Sequence, residues 1–313
     1  MVGGPDKLIA PDAEGIARAA ELLCAGDLVA VPTETVYGLA ARADSAEAVA
    51  KIYRAKGRPD FNPLIVHVAS LEQAERLAHL DERAHLLAKA FWPGPLTMVL
   101  PARDDSPITP AVSAGLPTIA VRCPGHPVMA RLLDVVGLPL AAPSANRSLG
   151  VSPTRPDHVR ESLGDDCPPI LDGGPCAMGL ESTIVALRAD GGWSLLRPGP
   201  VEKGAVESIV GPQSASSGSK IEAPGQMRKH YSPGKPVRLD ASEAGADEFL
   251  IGFGGIAGST NLSPTGDLAE AAARLYQCLH EAAAAPQKKI AVAPIPRTGM
   301  GEAIADRLRR AAA

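Results

Sequence analysis

Two spacings of hydrophobic residues alternate along the first two thirds of the chain. Apolar residues recur at helical intervals over residues 12–25 and 45–56, with Ile16 and Ile52 on the apolar faces. Short apolar runs of strand length lie between and after these segments. The predicted strands cover residues 28–32, 64–68, 97–101, 118–122, 138–142, 182–187 and 193–197. Strands mixed with helices at these spacings predict an α/β sheet domain over residues 1–210.

The composition changes after this domain. Residues 211–237 begin rich in Ser and Gly and end rich in Pro, which predicts a linker that resists regular structure. Residues 238–313 contain a strand in EFLIGF, an Ala-rich helix from about 267 to 285, a strand in KKIAVAP and a terminal helix. This order predicts a second, small α/β domain. Its size is near the lower limit for independent folding, so we expect it to dock onto the first domain.

Composition and charge narrow the class of protein. The 313 residues include 31 Lys and Arg and 35 Asp and Glu, a formal net charge of −4, and aromatic residues make up 3%. Proteins that hold nucleic acid through phosphates or base stacking are usually basic or richer in aromatics, so no stable nucleic-acid complex is expected. The chain has no apolar run of membrane-spanning length, and its five cysteines form no Cys-x-x-Cys pair. We therefore expect a cytoplasmic protein with no membrane association and no built-in metal site.

The densest group of polar residues is KGRPDFNPLIVHV, residues 56–68. Lys56 and Arg58 leave the end of a predicted helix. Asn62 precedes a strand whose two-residue period places His67 on the face opposite to its flanking valines. Two cations, an amide and an imidazole therefore converge near one strand start, which suits a polyphosphate or a carboxylate. A solvated helix end followed by a core strand is the simpler alternative.

A further cation lies within a strand. In TIAVR, alternation places Thr118, Ala120 and Arg122 on one face. A buried arginine is costly unless it is paired, so Arg122 should meet an anionic ligand or an acidic side chain. A purely structural salt bridge is the alternative here.

Loops rich in small hydroxyl residues follow several predicted strands. Ser144 and Ser152 follow the strand at 138–142, and Thr35 follows the first strand. Such residues allow close approach of the backbone to phosphates or a ribose, although turn capping accounts for them equally well. With Arg197 at another strand end, they predict a pocket for a nucleotide and a small carboxylate-bearing substrate.

Common nucleotide-binding and hydrolase motifs do not account for this pocket. GFGGIA at residues 252–257 fits a loose dinucleotide-binding pattern, but GSTNLSP follows where a helix should begin. The chain contains neither Gly-x-x-x-x-Gly-Lys-[Ser/Thr] nor Gly-x-Ser-x-Gly. We therefore expect neither a P-loop nor a nucleophile elbow.

Several motifs in a fixed order resemble one known family. They are PTETVYGLA, KGRPDFNPLIVH, FWPGPLT, PSANRSLGVSPT, ESTIV and LRPG. In this order they are similar to the YrdC-type threonylcarbamoyl-AMP synthases, and APGQMRKHYSP followed by a small domain resembles the two-domain form. The resemblance implies a YrdC-like twisted mixed sheet with a concave basic pocket and a small Rossmann-like C-terminal domain.

The resemblance also implies a reaction and a set of residues. L-Threonine, bicarbonate and ATP would give threonylcarbamoyl-AMP and pyrophosphate, the first step of the threonylcarbamoyl modification of tRNA. Mg²⁺ would arrive with ATP, and no protein residue would hold a metal. The implied threonine-binding residues are Thr35, His67, Arg122, Ala142 and Ser182. The implied ATP-binding residues are Arg58, Asn62, Thr118, Ser144, Ser152, Arg197 and Tyr231, with Lys56 and Arg58 as the catalytic pair.

Two further expectations and two alternatives complete the prediction. Both the carbamate and the mixed anhydride are labile in water, so we expect HYSP at residues 230–233 to form part of a lid. The product would pass to downstream tRNA threonylcarbamoyl-transfer proteins. A tRNA- or RNA-binding module without this activity is one alternative. A carbamoyl-transferring relative is another, although it would usually bring Cys-rich metal fingers that the chain lacks.

Overall fold

A computed structural model describes residues 7–214, 222–224 and 230–313. Most of the first domain is built on one mixed sheet, which among these residues has the strand order β1-β8-β2-β3-β7-β4-β6-β5-β9-β10. Its strands are Leu8–Ile9 (β1), Val29–Val31 (β2), Gly38–Arg42 (β3), Ile65–His67 (β4), Leu96–Pro101 (β5), Thr118–Arg122 (β6), Leu140–Ala141 (β7), Ile170–Leu171 (β8), Thr183–Leu187 (β9) and Trp193–Arg197 (β10). The predicted α/β fold with a mixed sheet is confirmed.

Short helices cover this sheet. They are Ala13–Cys24 (α1), Ala46–Lys56 (α2), Leu71–Glu75 (α3), Glu82–Phe91 (α4), Pro110–Ser113 (α5), Pro127–Val136 (α6), Pro156–Leu163 (α7) and Lys203–Val210 (α8). The Ser45 hydroxyl accepts a hydrogen bond from Ala48 N at the start of α2, and Gly57 ends that helix in the left-handed conformation. This sharp stop directs the chain from α2 into the polar loop ahead of β4.

Alternate residues of the strands pack into different cores. Ala30 belongs to the main core, whereas its neighbours Val29 and Val31 pack in a second core on the opposite face. In β4, Val66 likewise enters the main core while Ile65 packs in a small cluster on the other side. Burial on both faces explains why these strands are short continuous apolar runs in the sequence.

The small domain contains a parallel sheet of its own. Its strands are Val237–Arg238 (β11), Glu248–Gly252 (β12), Thr260–Asn261 (β13) and Lys289–Val292 (β14), in the order β11-β14-β12-β13. Helices Leu268–Ala284 (α9) and Met300–Ala311 (α10) belong to this domain. GFGGIA leads from β12 into a turn and β13, and the next helix begins only at Leu268, so no helix N-terminus follows the glycines.

The two domains share buried apolar surface. Val36, Val151 and Leu180 of the first domain pack in the same core cluster as Tyr276 and Leu279 of α9. The expected docking of the small domain is therefore present. Of the predicted linker, residues 215–221 and 225–229 lie outside the described part of the chain. Within the described ranges, no helix has both the length and the apolar character needed to cross a membrane.

Several elements escape sequence reasoning. Strand β3 was not predicted, because Gly-Leu-Ala-Ala is small, buried on both faces and without alternation. The strand at 138–142 shortens to Leu140–Ala141, and helices α6 and α7 were also missed. Both helices start with Pro at their first position, which is a recognised helix-start signal.

Candidate active site

A cavity opens on the face of the first sheet that lies opposite the main core. It is lined by the loop after β2, one face of β4 and β6, the loop after β7, the segment around β9 and described parts of the linker. The lining residues are Thr33, Thr35, Val36, Gly38, Arg58, Ile65, His67, Arg122, Ala142, Pro143, Ser144, Glu181, Ser182, Arg197, Pro224, His230 and Tyr231. Most of the residues that the sequence predicts for the two substrates therefore meet in one place.

Strand pairing brings the first group of functional side chains together. Strands β4 and β6 are parallel neighbours, with His67 directly opposite Arg122. Alternation along β4 turns His67 and Ile65 to the cavity while Val66 faces the main core. The predicted two-residue period of this strand is confirmed.

The acidic partner of Arg122 is Glu34. The guanidinium of Arg122 donates to Glu34 Oε1 at 2.6 Å, to Thr35 Oγ1 at 3.0 Å and to the Gly94 carbonyl at 3.2 Å. Burial raises the pKa of Glu34, but the charge of Arg122 and the hydrogen bonds to the carboxylate together outweigh burial and hold that pKa below its ordinary value. Arg122 therefore forms a salt bridge, as the structural alternative predicted, and it also lines the cavity. Sequence reasoning missed Glu34.

Arg58 and Arg197 form the second charged group. Arg58 donates from Nη2 to Asn62 Oδ1 at 2.7 Å and from Nε to the Asn62 carbonyl at 3.1 Å. Arg197 donates to the Ser182 carbonyl and to Ser182 Oγ, both at 3.0 Å. Burial and the charge of Arg197 lower the pKa of Arg58 to about 10, and burial also lowers the pKa of Arg197. Two buried cations that repel each other favour an anionic ligand between or beside them.

Four predicted residues are not part of the cavity lining. Asn62 fixes Arg58, as described above, and Ser152 Oγ donates to Glu181 Oε1 at 2.5 Å. Lys56 Nζ donates to the carbonyls of Ser144 and Asn146, both at 2.6 Å, so it holds the loop after β7. Thr118 begins β6 opposite Pro101 and is not part of the lining.

Glu181 is a carboxylate of the cavity wall that sequence reasoning did not select. Its Oε2 accepts from the Tyr276 hydroxyl at 2.7 Å and from Arg307 Nε at 2.9 Å, both contributed by the small domain. Burial raises the pKa of Glu181, but the charges of Arg307 and Arg197, together with the hydrogen bonds from Ser152 and Tyr276, outweigh burial and hold the pKa at about 2. The sequence carries no local signal for this role, because Arg307 lies 126 residues further along the chain.

Unpartnered polar atoms mark the cavity as a binding site. Among the described residues, His67 Nδ1 and the Tyr231 hydroxyl are buried without a hydrogen-bond partner. Burial, followed by the nearby charge of Arg122, lowers the pKa of His67 to about 3, so its ring is neutral at pH 7. Tyr231 has a φ of 61°, a left-handed conformation that is strained for a side chain of this size. Buried unsatisfied groups and local strain at one cavity are features of functional sites.

The described residues contain no cluster of three or more His, Cys, Asp or Glu side chains able to hold a metal ion. The cysteines Cys24, Cys123, Cys167, Cys176 and Cys278 are all free thiols. The single carboxylate in the cavity wall, as far as the described ranges extend, is Glu181, and both of its oxygens already accept hydrogen bonds.

The fold and cavity define a two-domain α/β protein with three arginines in the lining of its pocket, and comparisons with known proteins identify its family. The family model described as telomere recombination, which groups Sua5, YciO and YrdC, matches residues 21–199. The model described as the C-terminal domain of threonylcarbamoyl-AMP synthase matches residues 201–313. The chain belongs to the Sua5/YciO/YrdC family, in its two-domain threonylcarbamoyl-AMP synthase form. The resemblance drawn from the sequence motifs is confirmed.

Individual relatives support this assignment. The threonylcarbamoyl-AMP synthase of Bacillus subtilis is 46% identical over 72% of this chain and 66% of its own length, slightly less than two thirds. The protein of the same name from Pyrococcus abyssi is 38% identical over 94% of this chain and 92% of its own length. The crystal structure of Pyrococcus abyssi Sua5 complexed with L-threonine superposes with a TM-score of 0.89 at 35% identity, covering 97% of each chain.

Proposed function

We propose that this chain makes L-threonylcarbamoyl-AMP and pyrophosphate from L-threonine, bicarbonate and ATP. Family membership supports this reaction, as does the likeness to a structure that holds L-threonine. The observation that carries the proposal is the division of the cavity into two groups of charged residues. Arg122 and neutral His67 form one group, and Arg58 and Arg197 form the other.

The first group suits an amino acid carboxylate. A guanidinium has five N–H donors, and three of those of Arg122 already donate to Glu34, Thr35 and Gly94. The remaining donors on its two terminal nitrogens are those that a bidentate carboxylate takes. Arg122 therefore binds the threonine carboxylate. The other residues proposed for threonine are Thr35, His67, Ala142 and Ser182.

The threonine amine must be unprotonated to form a carbamate. Burial beside Arg122 lowers the pKa of His67, and the same environment disfavours an ammonium group on the substrate. Because the pKa of His67 is about 3, its ring acts as a hydrogen-bond acceptor and not as a base at pH 7. His67 Nδ1 then orients the amine toward bicarbonate or CO2. The new C–N bond gives the carbamate, with loss of water from bicarbonate or of a proton after addition to CO2.

The second group suits the triphosphate. In this proposal, ATP contacts Arg58, Arg197, Ser144 and Tyr231. These contacts are supported from behind the wall by Asn62, Ser152 and Lys56. The role of Thr118 stays a prediction. Mg²⁺ enters as part of the MgATP substrate. A carbamate oxygen attacks the α-phosphorus, the bond to the β-phosphate oxygen breaks, and pyrophosphate leaves with the electron pair. Arg58 and Arg197 stabilise the developing negative charge.

The linker acts as a lid over this reaction. We expect the protein in the cytoplasm. Pro224, His230 and Tyr231 line the cavity, and the Ser232 amide donates to the Leu149 carbonyl at 2.8 Å, which supports this role. Tyr231→Ala should then expose the adenylate to water, lowering the yield of threonylcarbamoyl-AMP for each pyrophosphate formed. An unchanged yield would contradict the lid. Downstream tRNA threonylcarbamoyl-transfer proteins would receive the labile product.

The deciding experiment measures pyrophosphate release from the purified chain with MgATP and bicarbonate, with and without L-threonine, and identifies products by mass spectrometry. Threonine-dependent pyrophosphate together with the mass of threonylcarbamoyl-AMP is the expected result. Release that does not depend on threonine would overturn the proposal. The RNA-binding alternative instead requires tRNA affinity that falls steeply with salt and needs no threonine.

A further inference from the structure

The small domain places a buried arginine behind the cavity wall. Arg307, on α10, is fully buried, and its Nε donates to Glu181 Oε2 at 2.9 Å. Its Nη1 donates to Asp306 Oδ2 at 2.9 Å, and Asp306 also accepts from Arg310. The same Glu181 carboxylate accepts hydrogen bonds from Ser152 and Tyr276. We call Glu181, Arg307, Ser152 and Tyr276 the interdomain cluster.

The charge of Glu181 matters because of what else lines the cavity. Arg197 and Glu181 interact electrostatically, since each shifts the pKa of the other toward its charged form. An unpaired carboxylate at this position would attract Arg197 and cancel positive charge that the triphosphate needs. Arg307 supplies a second cation for the same carboxylate, from outside the cavity lining.

Helix α10 also supports the linker side of the cavity. The guanidinium carbon of Arg307 lies 5.3 Å from the centre of the Tyr231 ring, within cation–π distance. The His230 amide donates to the Arg310 carbonyl at 3.2 Å. One helix of the small domain therefore contacts both the acidic wall residue and the linker residues that line the cavity.

We propose that Arg307 is a positioning residue for ATP: it holds and neutralises Glu181, so that Arg197 and Arg58 keep their positive charge for the phosphates. The small domain thereby completes the electrostatics of a site built on the other domain. This inference rests on the proposed function, because it assigns the ligand of Arg58 and Arg197 as a triphosphate.

Two substitutions distinguish this role from simple structural support, because they change the cavity charge in opposite directions. Arg307→Met leaves Arg197 as the remaining cation beside Glu181 and should weaken MgATP binding about tenfold. Glu181→Gln removes the negative charge and should leave MgATP affinity equal or somewhat tighter. Both variants should melt at lower temperature, since each removes one member of the buried Glu181–Arg307 ion pair. The double variant Glu181→Gln/Arg307→Met should return MgATP affinity to within about threefold of the parent protein.

The measurements are calorimetric titrations of the full chain with MgATP and with L-threonine, together with thermal melts. Threonine affinity should stay unchanged in all variants, because Arg122 has its own partner in Glu34. Arg309→Met is the matched control: it removes one positive charge from an exposed position of the same helix and should leave both affinities unchanged. If Arg307→Met fails to fold, Arg307→Lys keeps the positive charge and should retain MgATP affinity. Glu181→Gln and the double variant still show whether loss of the negative charge strengthens or weakens MgATP binding.

Three results would overturn the inference. Equal weakening of MgATP binding by both single variants, with no recovery in the double variant, means that the cluster only stabilises the fold. Weakening by Glu181→Gln alone means that Glu181 acts directly on MgATP. Unchanged affinity in Arg307→Met means that the small domain does not tune the site. Failure of the proposed function is separate, because it would appear as threonine-independent pyrophosphate release in the parent protein.

Discussion

Two buried arginine–glutamate pairs flank the cavity, and they face it in opposite ways. In the first pair, Arg122 lines the cavity and Glu34 lies behind it at 2.6 Å. In the second pair, Glu181 lines the cavity and Arg307 lies behind it at 2.9 Å. In each pair, the residue behind the cavity wall determines how the charge of the cavity-lining residue acts on a ligand. Glu34 orients Arg122 for a carboxylate, whereas Arg307 offsets an acidic group that would otherwise compete with the triphosphate.

The two pairs also differ in what holds them together. Arg122 and Glu34 both belong to the first domain, on β6 and on the loop after β2. Glu181 and Arg307 join the two domains. The comparison teaches that the threonine group is complete within one domain, while the charge balance of the phosphate group depends on the docked small domain.

The largest expected effect comes from breaking the first pair. Arg122→Met leaves Glu34 buried and unpaired, so the free energy of unfolding should fall by about 3–5 kcal/mol. Threonine-dependent turnover should fall by about 100-fold or more, because the carboxylate loses its bidentate partner. Urea unfolding and pyrophosphate release measure the two effects. Glu34→Gln/Arg122→Met should recover stability but not turnover, and recovery of both would refute a role in threonine binding.

A smaller effect is expected at a buried lysine that has no acidic partner among the described residues. Lys56 donates only to the carbonyls of Ser144 and Asn146 in the described residues, so Lys56→Met should lower the free energy of unfolding by about 2–3 kcal/mol. The KM for ATP should rise more than that for threonine, because the loop after β7 shifts. Lys51→Met, which removes a partly exposed bond to Asp27, is the control and should cost less than about 1 kcal/mol. Equal costs in the two variants would contradict the structural role of Lys56.

Acid should act on the domain contact before it acts on either ion pair. His158 of α7 stacks on His280 of α9 with ring centres 3.8 Å apart, and burial followed by the charge of His280 lowers the pKa of His158 to about 4, despite Asp157 nearby. The unfolded chain takes up a proton here below pH 6.5, so stability is lost as the pH falls from 6.5 toward 4. The contribution of Glu181 is lost only as the pH falls from 4.5 toward 2.

His158→Gln should remove this contribution. The fall in the free energy of unfolding between pH 6.5 and pH 4.5 should then be shallower by about 1.4 kcal/mol per pH unit. Urea unfolding of both proteins at several pH values in this window measures the slope. Parallel slopes for the two proteins would show that His158 titrates normally in the folded state.

The smallest effect is expected at an exposed pair of the same chemistry. Arg103 and Asp105 are 2.9 Å apart on the surface, with side chains 38% and 72% exposed. Arg103→Met should move the melting temperature by less than about 1 °C and leave turnover unchanged, because solvent already screens the pair. A larger shift would mean that the difference in burial does not explain why this pair contributes less to stability than Arg122–Glu34.

Local sequence patterns predicted much of the fold and many residues of the cavity. The strand Thr118–Arg122 has the predicted bounds, and the alternation of residues 64–68 correctly turned His67 away from the main core. These features depend on backbone period and burial, which neighbouring residues determine. Strand β3 had no such pattern, because its residues are mostly small and are buried on both faces of the sheet, so polar and apolar positions do not alternate.

Ordered motifs and local periodicity were enough to predict the family, the two-domain order and most residues of the cavity wall. The balance of charges depends instead on contacts between distant parts of the chain. Glu34 lies 88 residues from Arg122, and Glu181 lies 126 residues from Arg307. The energy of a buried charge depends on what packs against it in three dimensions, and no local spacing in the chain encodes those distances.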